Sequence, residues 1–171
     1  MWTIYKAAYC SIILKKVNIL RLYSFVNFYL NSISQGIQTA HLVHDLFLKY
    51  ESNSAPKNVL HDWANNHKTI IVLNGGMNSD ILAKAEQLLD LGVALGLPQA
   101  YFREDSNSLG DLMTCCGIVC PSWVYDAKSF TPELGKKGYV TQVNGIESII
   151  LDSNSPSYKL IELVKSCPLA R

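Results

Sequence analysis

Arg103, Glu104 and Asp105 form a charged cluster between a short apolar run, Ala100-Tyr101-Phe102, and the turn formers Ser106, Asn107, Ser108 and Gly110. A carboxylate where a strand ends can orient a water or hold a phosphate and ribose, and binding groups concentrate on such loops. Leu112–Cys120 follows, apolar or small throughout and without formal charge. That composition suits a strand covered on both faces. Glu104 and Asp105 do not by themselves make an acid–base pair, because successive strand residues face opposite ways. The other reading of the cluster is a surface hairpin in which Asp105 caps the turn.

Two further sets of residues have the types that chemistry uses. His41 and Asp45 stand four apart on an expected helix, with Gln38 one turn earlier. They read either as a His–Asp pair or as a polar helix face. The five cysteines are Cys10, Cys115, Cys116, Cys120 and Cys167. Their odd number, and the adjacency of Cys115 and Cys116 on opposite faces of a strand, argue against a disulfide framework and for a reducing cytosol. Cys116 and Cys120 share a strand face but sit about 13 Å apart by strand rise. That is too far for one tetrahedral ion, so no metal is expected.

The elements that must position these groups follow in order. At 171 residues, 49% hydrophobic and 17% charged, the chain is long enough for one domain with its own core. A net charge of +1 supplies no strong basic field for nucleic acid. Tyr9–Leu14 reads as a buried strand tipped by Lys15 and Lys16. In Val17–Ile33, the residues Ile19, Leu22, Val26, Tyr29 and Ile33 recur at helical spacing. Arg21 and the asparagines 18, 27 and 31 weigh against a membrane span, which needs about 20 apolar residues. The expectation is an inserted amphipathic helix at about 17–34, with no stable membrane insertion.

Ser34 is the expected cap of a helix over Gln35–Tyr50, with Ile37, Ala40, Val43, Phe47 and Tyr50 inward. Glu51–Asn58 reads as a loop and Leu60–Asn66 as a short helix. Lys68–Leu73 is a β-branched strand. Asn74-Gly75-Gly76 turns the chain into a helix capped by Ser79 and stopped by Gly92. Ser122–Tyr125 is expected to extend the sheet. Asn144-Gly145 marks a hairpin between Tyr139–Val143 and Ser148–Leu151. Ser155-Pro156 opens a last helix to about Lys165. The fold class is α/β: a three-layer sandwich with a mixed sheet of four strands, or slightly more, between helices, and a hairpin–helix extension at about 139–166.

Taken together, YCSIILKK, Gly36-Ile37-Gln38-Thr39-Ala40-His41, KTIIVLNGG, Phe102-Arg103-Glu104-Asp105, Leu112-Met113-Thr114 and Gly117-Ile118 resemble, in order, segments of the peptidyl-tRNA hydrolase 2 family. The likeness is greatest to its short phage-type members. The resemblance implies hydrolysis of the ester between a peptide and the tRNA 3′ end, without a cofactor or metal, in a cytoplasmic homodimer. Carried over by position, it implies catalytic roles for Asp105, Lys15 or Lys16, and Thr114. Gln38, His41, Arg103, Ser106 and Asn107 would contact the substrate. The family's Lys-Gly-Lys element is absent, and Asp105-Ser106-Asn107-Ser108-Leu109 stands where the family has Asp-Ala-Gly-Arg-Thr. The alternative is a non-catalytic module on the same fold that binds RNA or a small nucleotide, as a viral protein acting on a host nucleotide signal would.

Overall fold

A computed structural model describes residues 19–52, 55–107, 110–131, 137–143 and 146–171. The expected strand Tyr9–Leu14, and Lys15 and Lys16 at its tip, lie outside the described residues.

The centre of the fold is β1, Leu20–Asn27. An inserted helix was the expectation for this stretch, and the structure corrects it. Leu22 to Asn27 are all buried. Leu20, Leu22 and Val26 enter one core, while Tyr23 and Phe25 enter the other. The stripe Ile19, Leu22, Val26 fits a helix only because Leu20, Tyr23 and Phe25 between them are apolar too. A strand covered on both faces carries no period that separates it from a buried helix.

β1 pairs in parallel with β2, Thr69–Gly76, and antiparallel with β4, Met113–Pro121. β3, Gln99–Arg103, pairs antiparallel with β4, giving the order β2-β1-β4-β3. On one face lie α1, Ser32–Lys49, and α2, Ala55–Asp62, with a π-helical turn at Trp63–His67. On the other lies α3, Asn78–Leu95. The result is a three-layer α/β sandwich on a mixed four-stranded sheet. β1, β2 and β3 run in one direction, so their carboxyl ends share one edge.

Several boundaries differ from the sequence reading for identifiable reasons. α1 is capped by Asn31, whose Oδ1 accepts from Ser34 N at 2.9 Å, so Ser34 lies inside the helix. Its buried residues are Gln35, Gln38, Thr39, Leu42 and Leu46, whereas Ile37 is exposed. The sheet beneath offers polar groups that need partners: Ser24 Oγ and Thr39 Oγ1 are hydrogen-bonded at 2.9 Å. α2 begins at Ala55, inside the expected loop, with Pro56 in its first turn, where a missing N–H is harmless. α3 starts earlier than expected: Asp80 Oδ2 accepts from Met77 N at 2.8 Å and caps it. It also runs past Gly92 to Gly96, whose φ is +65°. Gly92 serves packing, since a Cβ there would stand 2.5 Å from Gln99 Cγ.

After β4 the chain leaves the sheet. Ser122–Tyr125 does not extend it; Trp123–Asp126 forms one helical turn, α4. β5, Lys128–Phe130, β6, Gly138–Val143, and β7, Ile146–Ile150, make a second, antiparallel sheet in the order β5-β6-β7. The β6–β7 pairing agrees with the expected hairpin; residues 144–145 lie outside the described residues. α5, Pro156–Lys165, capped by Ser155, sends Leu160, Ile161, Leu163 and Val164 into the α3-side core beside Tyr139. The tail then pairs with β2: Asn74 N donates to Pro168 O at 2.8 Å and Ala170 N to Val72 O at 3.0 Å. That covers the backbone edge β2 would otherwise expose.

Candidate functional site

Three strands deliver their carboxyl ends to the α1 side of one sheet edge, the usual position for ligands in open α/β sheets. The first side chains to converge there are Gln38 and Thr114. Thr114 Oγ1 donates to Gln38 Oε1 at 2.9 Å, and Gln38 Nε2 donates to Glu104 Oε1 at 2.6 Å. Thr114 and Gln38 are buried and Glu104 is half-buried.

A bulge creates this contact. β3–β4 pairing jumps from Phe102↔Cys115 to Arg103↔Met113, leaving Thr114 as the extra residue. Regular alternation would put residues 113 and 115 on one face. Instead Met113 packs in the α3-side core and Cys115 in the α1-side core. The extra residue turns both Thr114 and Cys115 toward α1, where Cys115 Sγ donates to Gln38 O at 3.2 Å. Burial pushes the Cys115 thiol well above its ordinary value, and the neighbouring Cys116 adds to the rise. Cys116 faces the opposite core, as the sequence implied, and burial pushes its thiol up to about 12.

Asp105 opens the turn that follows β3. Its Oδ1 accepts from Asn107 N at 2.8 Å, and Asp105, Ser106 and Asn107 are exposed. Asp105 therefore caps the turn from an exposed position. Glu104 N donates to Leu112 O at 3.0 Å and closes the loop at its base. Arg103 is committed within the loop: its Nη1 donates to Asp111 O at 3.0 Å and stands 3.6 Å from Asp111 Oδ2. The guanidinium also lies 5.8 Å from the Tyr101 ring centre. His41 does not pair with Asp45. Its ring stacks on Phe102 at 4.6 Å and 12°, and Asp45 instead stands 3.6 Å from His44 Nδ1.

Of the residues expected to act, the structure brings Gln38 and Thr114 into contact. It sets Asp105, Ser106 and Asn107 on the adjoining turn and His41 one helical turn away. Lys15 and Lys16 lie outside the described residues. Glu104 was missed as a member. Its signal was indirect: small polar residues, Ser24 and Thr114, interrupt apolar strands and face the polar pair Gln38-Thr39.

The β1 and β2 ends complete the edge. Asn27 Oδ1 accepts from Tyr29 N at 3.1 Å and Asn74 Oδ1 from Gly76 N at 3.0 Å. Gly76, at φ +91°, makes a turn that an L side chain rarely adopts. A larger groove of about 890 Å³ runs between α3 and α5, but none of the expected site residues lines it. Among the described residues no three His, Cys, Asp or Glu side chains converge as a metal site would require, and no helix is long and apolar enough to cross a membrane. No protein-family model matches this chain, and no curated protein matches it either.

Proposed function

We propose that this protein hydrolyses the ester joining a peptide to the 3′ end of a tRNA, or a closely related aminoacyl ester. The observation that carries the reading is the hydrogen-bonded chain from Thr114 through Gln38 to Glu104, beside the Asp105 turn. Gln38 and Thr114 stand 76 positions apart in sequence and were singled out separately by the family resemblance, yet they touch.

Cleaving an ester with water needs a group that orients or deprotonates the water and a charge that stabilises the oxyanion. In the proposed scheme the Asp105 carboxylate orients the attacking water. The Thr114 hydroxyl fixes the Gln38 amide, and that amide holds Glu104 where the loop leaves β3. Thr114 and Gln38 are thus positioning residues. The ammonium of Lys15 or Lys16 is assigned to the oxyanion. Asp105 takes the proton that the water loses on attack, and the tetrahedral intermediate collapses with loss of the ribose 3′ oxygen, which receives that proton as it leaves. On this reading the partner is a charged tRNA, the setting is the cytoplasm and the acting unit is a homodimer.

The test is single-turnover release of tRNA from N-acetylaminoacyl-tRNA. Asp105→Asn is expected to slow it by ~100-fold or more, the range for losing a general base. Gln38→Leu should lower kcat with KM little changed. A wild-type chain that releases no tRNA, or rates unmoved by both substitutions, removes the assignment.

A further inference from the structure

The geometry points to a second subsite on the same edge, a pocket for one amino-bearing nucleobase, adenine or cytosine, walled partly by the C-terminal tail. A cavity of about 240 Å³ opens between Phe28, Gln35, Asn74 and residues 168–171. It is smaller than pockets for drug-sized ligands, ~300–1,000 Å³, and suits a single ring system. The inference rests on the proposed function for which molecule carries the base, but the pocket's chemistry stands apart from it.

Three features specify that chemistry. The Phe28 ring, just past the end of β1, is 58% exposed, lines the cavity and meets the Tyr29 ring in an edge-type contact at 5.9 Å; it is the aromatic surface on which a base would stack. Gln35 is buried in the first turn of α1, and its Nε2 is held by Leu30 O at 2.9 Å. Asn74 Oδ1 is held by Gly76 N at 3.0 Å. Each partner has a fixed polarity, so neither amide can be turned round. What remains is one acceptor, Gln35 Oε1, and one donor, Asn74 Nδ2, with no hydrogen-bond partner among the described residues. Adenine and cytosine offer the complement, an exocyclic amine beside a ring-nitrogen acceptor. Arg171, exposed at the rim, supplies a cation for the attached phosphate.

The tail builds this site as well as covering β2. Leu73 and Leu169 form a β-bridge, and Ala170 packs against the α1-side core. Gln35 and Gln38 share the buried face of α1 three positions apart, about 4.5 Å along the axis. The pocket and the Gln38 network are therefore neighbours along one helix.

The experiment titrates the full chain with AMP, CMP, UMP, adenosine and inorganic phosphate by calorimetry. AMP and CMP should saturate one site, with UMP at least fivefold weaker. Phe28→Leu, an exposed change that should leave Tm unmoved, should weaken AMP about tenfold, the usual loss for one base–aromatic stack. Arg171→Ala should weaken AMP but leave adenosine unchanged. A second arm competes AMP with an RNA ending in an unpaired 3′ adenosine and with the same RNA blunt-ended. Competition by the first alone identifies an RNA end as the source; competition by neither identifies the free nucleotide. No saturable binding of AMP or CMP, binding no tighter than phosphate, or indifference to Phe28→Leu overturns the pocket. Nucleotide binding without ester cleavage removes only the hydrolase reading; cleavage that needs Asp105 without nucleotide binding removes only the pocket.

Discussion

The two faces of the four-stranded sheet are built on different principles. The α3 face is apolar: Tyr23, Phe25, Leu73, Ile81, Leu88 and Ile118 pack together without exposure. Its buried amides, Asn27 and Gln99, stand at strand ends. The α1 face buries Ser24, Gln35, Gln38, Thr39 and Thr114 among its leucines. Burying an unpaired amide or hydroxyl costs about 1–3 kcal/mol by protein measurements, and that cost is offset where Ser24 pairs with Thr39, Gln38 with Thr114, and Gln35 Nε2 with Leu30 O. The difference teaches where to look for function. One face secures the fold, while the other holds an oriented set of polar groups at the carboxyl edge of the sheet, the side on which open α/β sheets generally take their ligands.

The largest effect should come from the apolar face. Phe25 is fully buried at the middle of β1. Phe25→Ala is expected to cost about 3–5 kcal/mol, the transfer term plus the cavity left behind. Urea unfolding measures it, and ester cleavage by the folded fraction should be unchanged. A loss below about 1 kcal/mol would mean that the face does not carry the stability assigned to it.

The next effect belongs to the polar face. Gln38→Leu leaves the Thr114 hydroxyl and the Glu104 carboxylate without their partner, at about 1–3 kcal/mol. Thr114→Val in that background removes one of the orphans with little change of shape. The double variant should be no less stable than Gln38→Leu alone, and the cycle should show coupling. Additive losses from the two substitutions would break the contrast, because the network would then be a set of unrelated contacts.

The same contrast explains what could be read in the sequence. β2, β3, β4, α3, the hairpin and α5 were legible because turn residues or caps bound each of them. β1 was not. A strand buried on both faces is apolar at nearly every position, so Leu22 and Val26 fitted a helix as well as a strand. The inward face of α1 was misassigned for the converse reason. Ile37 reads as core, yet Gln38 and Thr39 face the sheet because Thr114 and Ser24 lie opposite them. Residue types alone do not reveal a polar surface that is buried by mutual pairing. Asp105 and Thr114 were legible as site candidates through their motif. The bulge that turns Thr114 toward Gln38 depends on strand register and has no local signature.

The smallest effect is a slope, and it tests whether the polar face is dry. Cys115 and Cys116 are neighbours on opposite faces, and burial is the largest cause of the raised pKa of each. Below the unfolded value of 9.0 both thiols are neutral, folded or unfolded, and contribute nothing to pH dependence. Above it the unfolded chain loses protons that the folded chain keeps, so stability falls as pH rises. For Cys116 the fall continues until about pH 12. Each thiol should approach about 1.4 kcal/mol per pH unit well above 9.0, and about half of that averaged over pH 8 to 10. Urea unfolding at pH 8, 9 and 10 should therefore give Cys116→Ala and Cys115→Ala slopes that are shallower than wild type by equal amounts. Equal slopes mean that the α1 face excludes water as fully as the α3 face, so its hydrogen bonds act in a low-dielectric interior. A Cys115→Ala slope matching wild type would mean that water reaches the Gln38 network, and the energetic distinction between the faces would then be one of hydration.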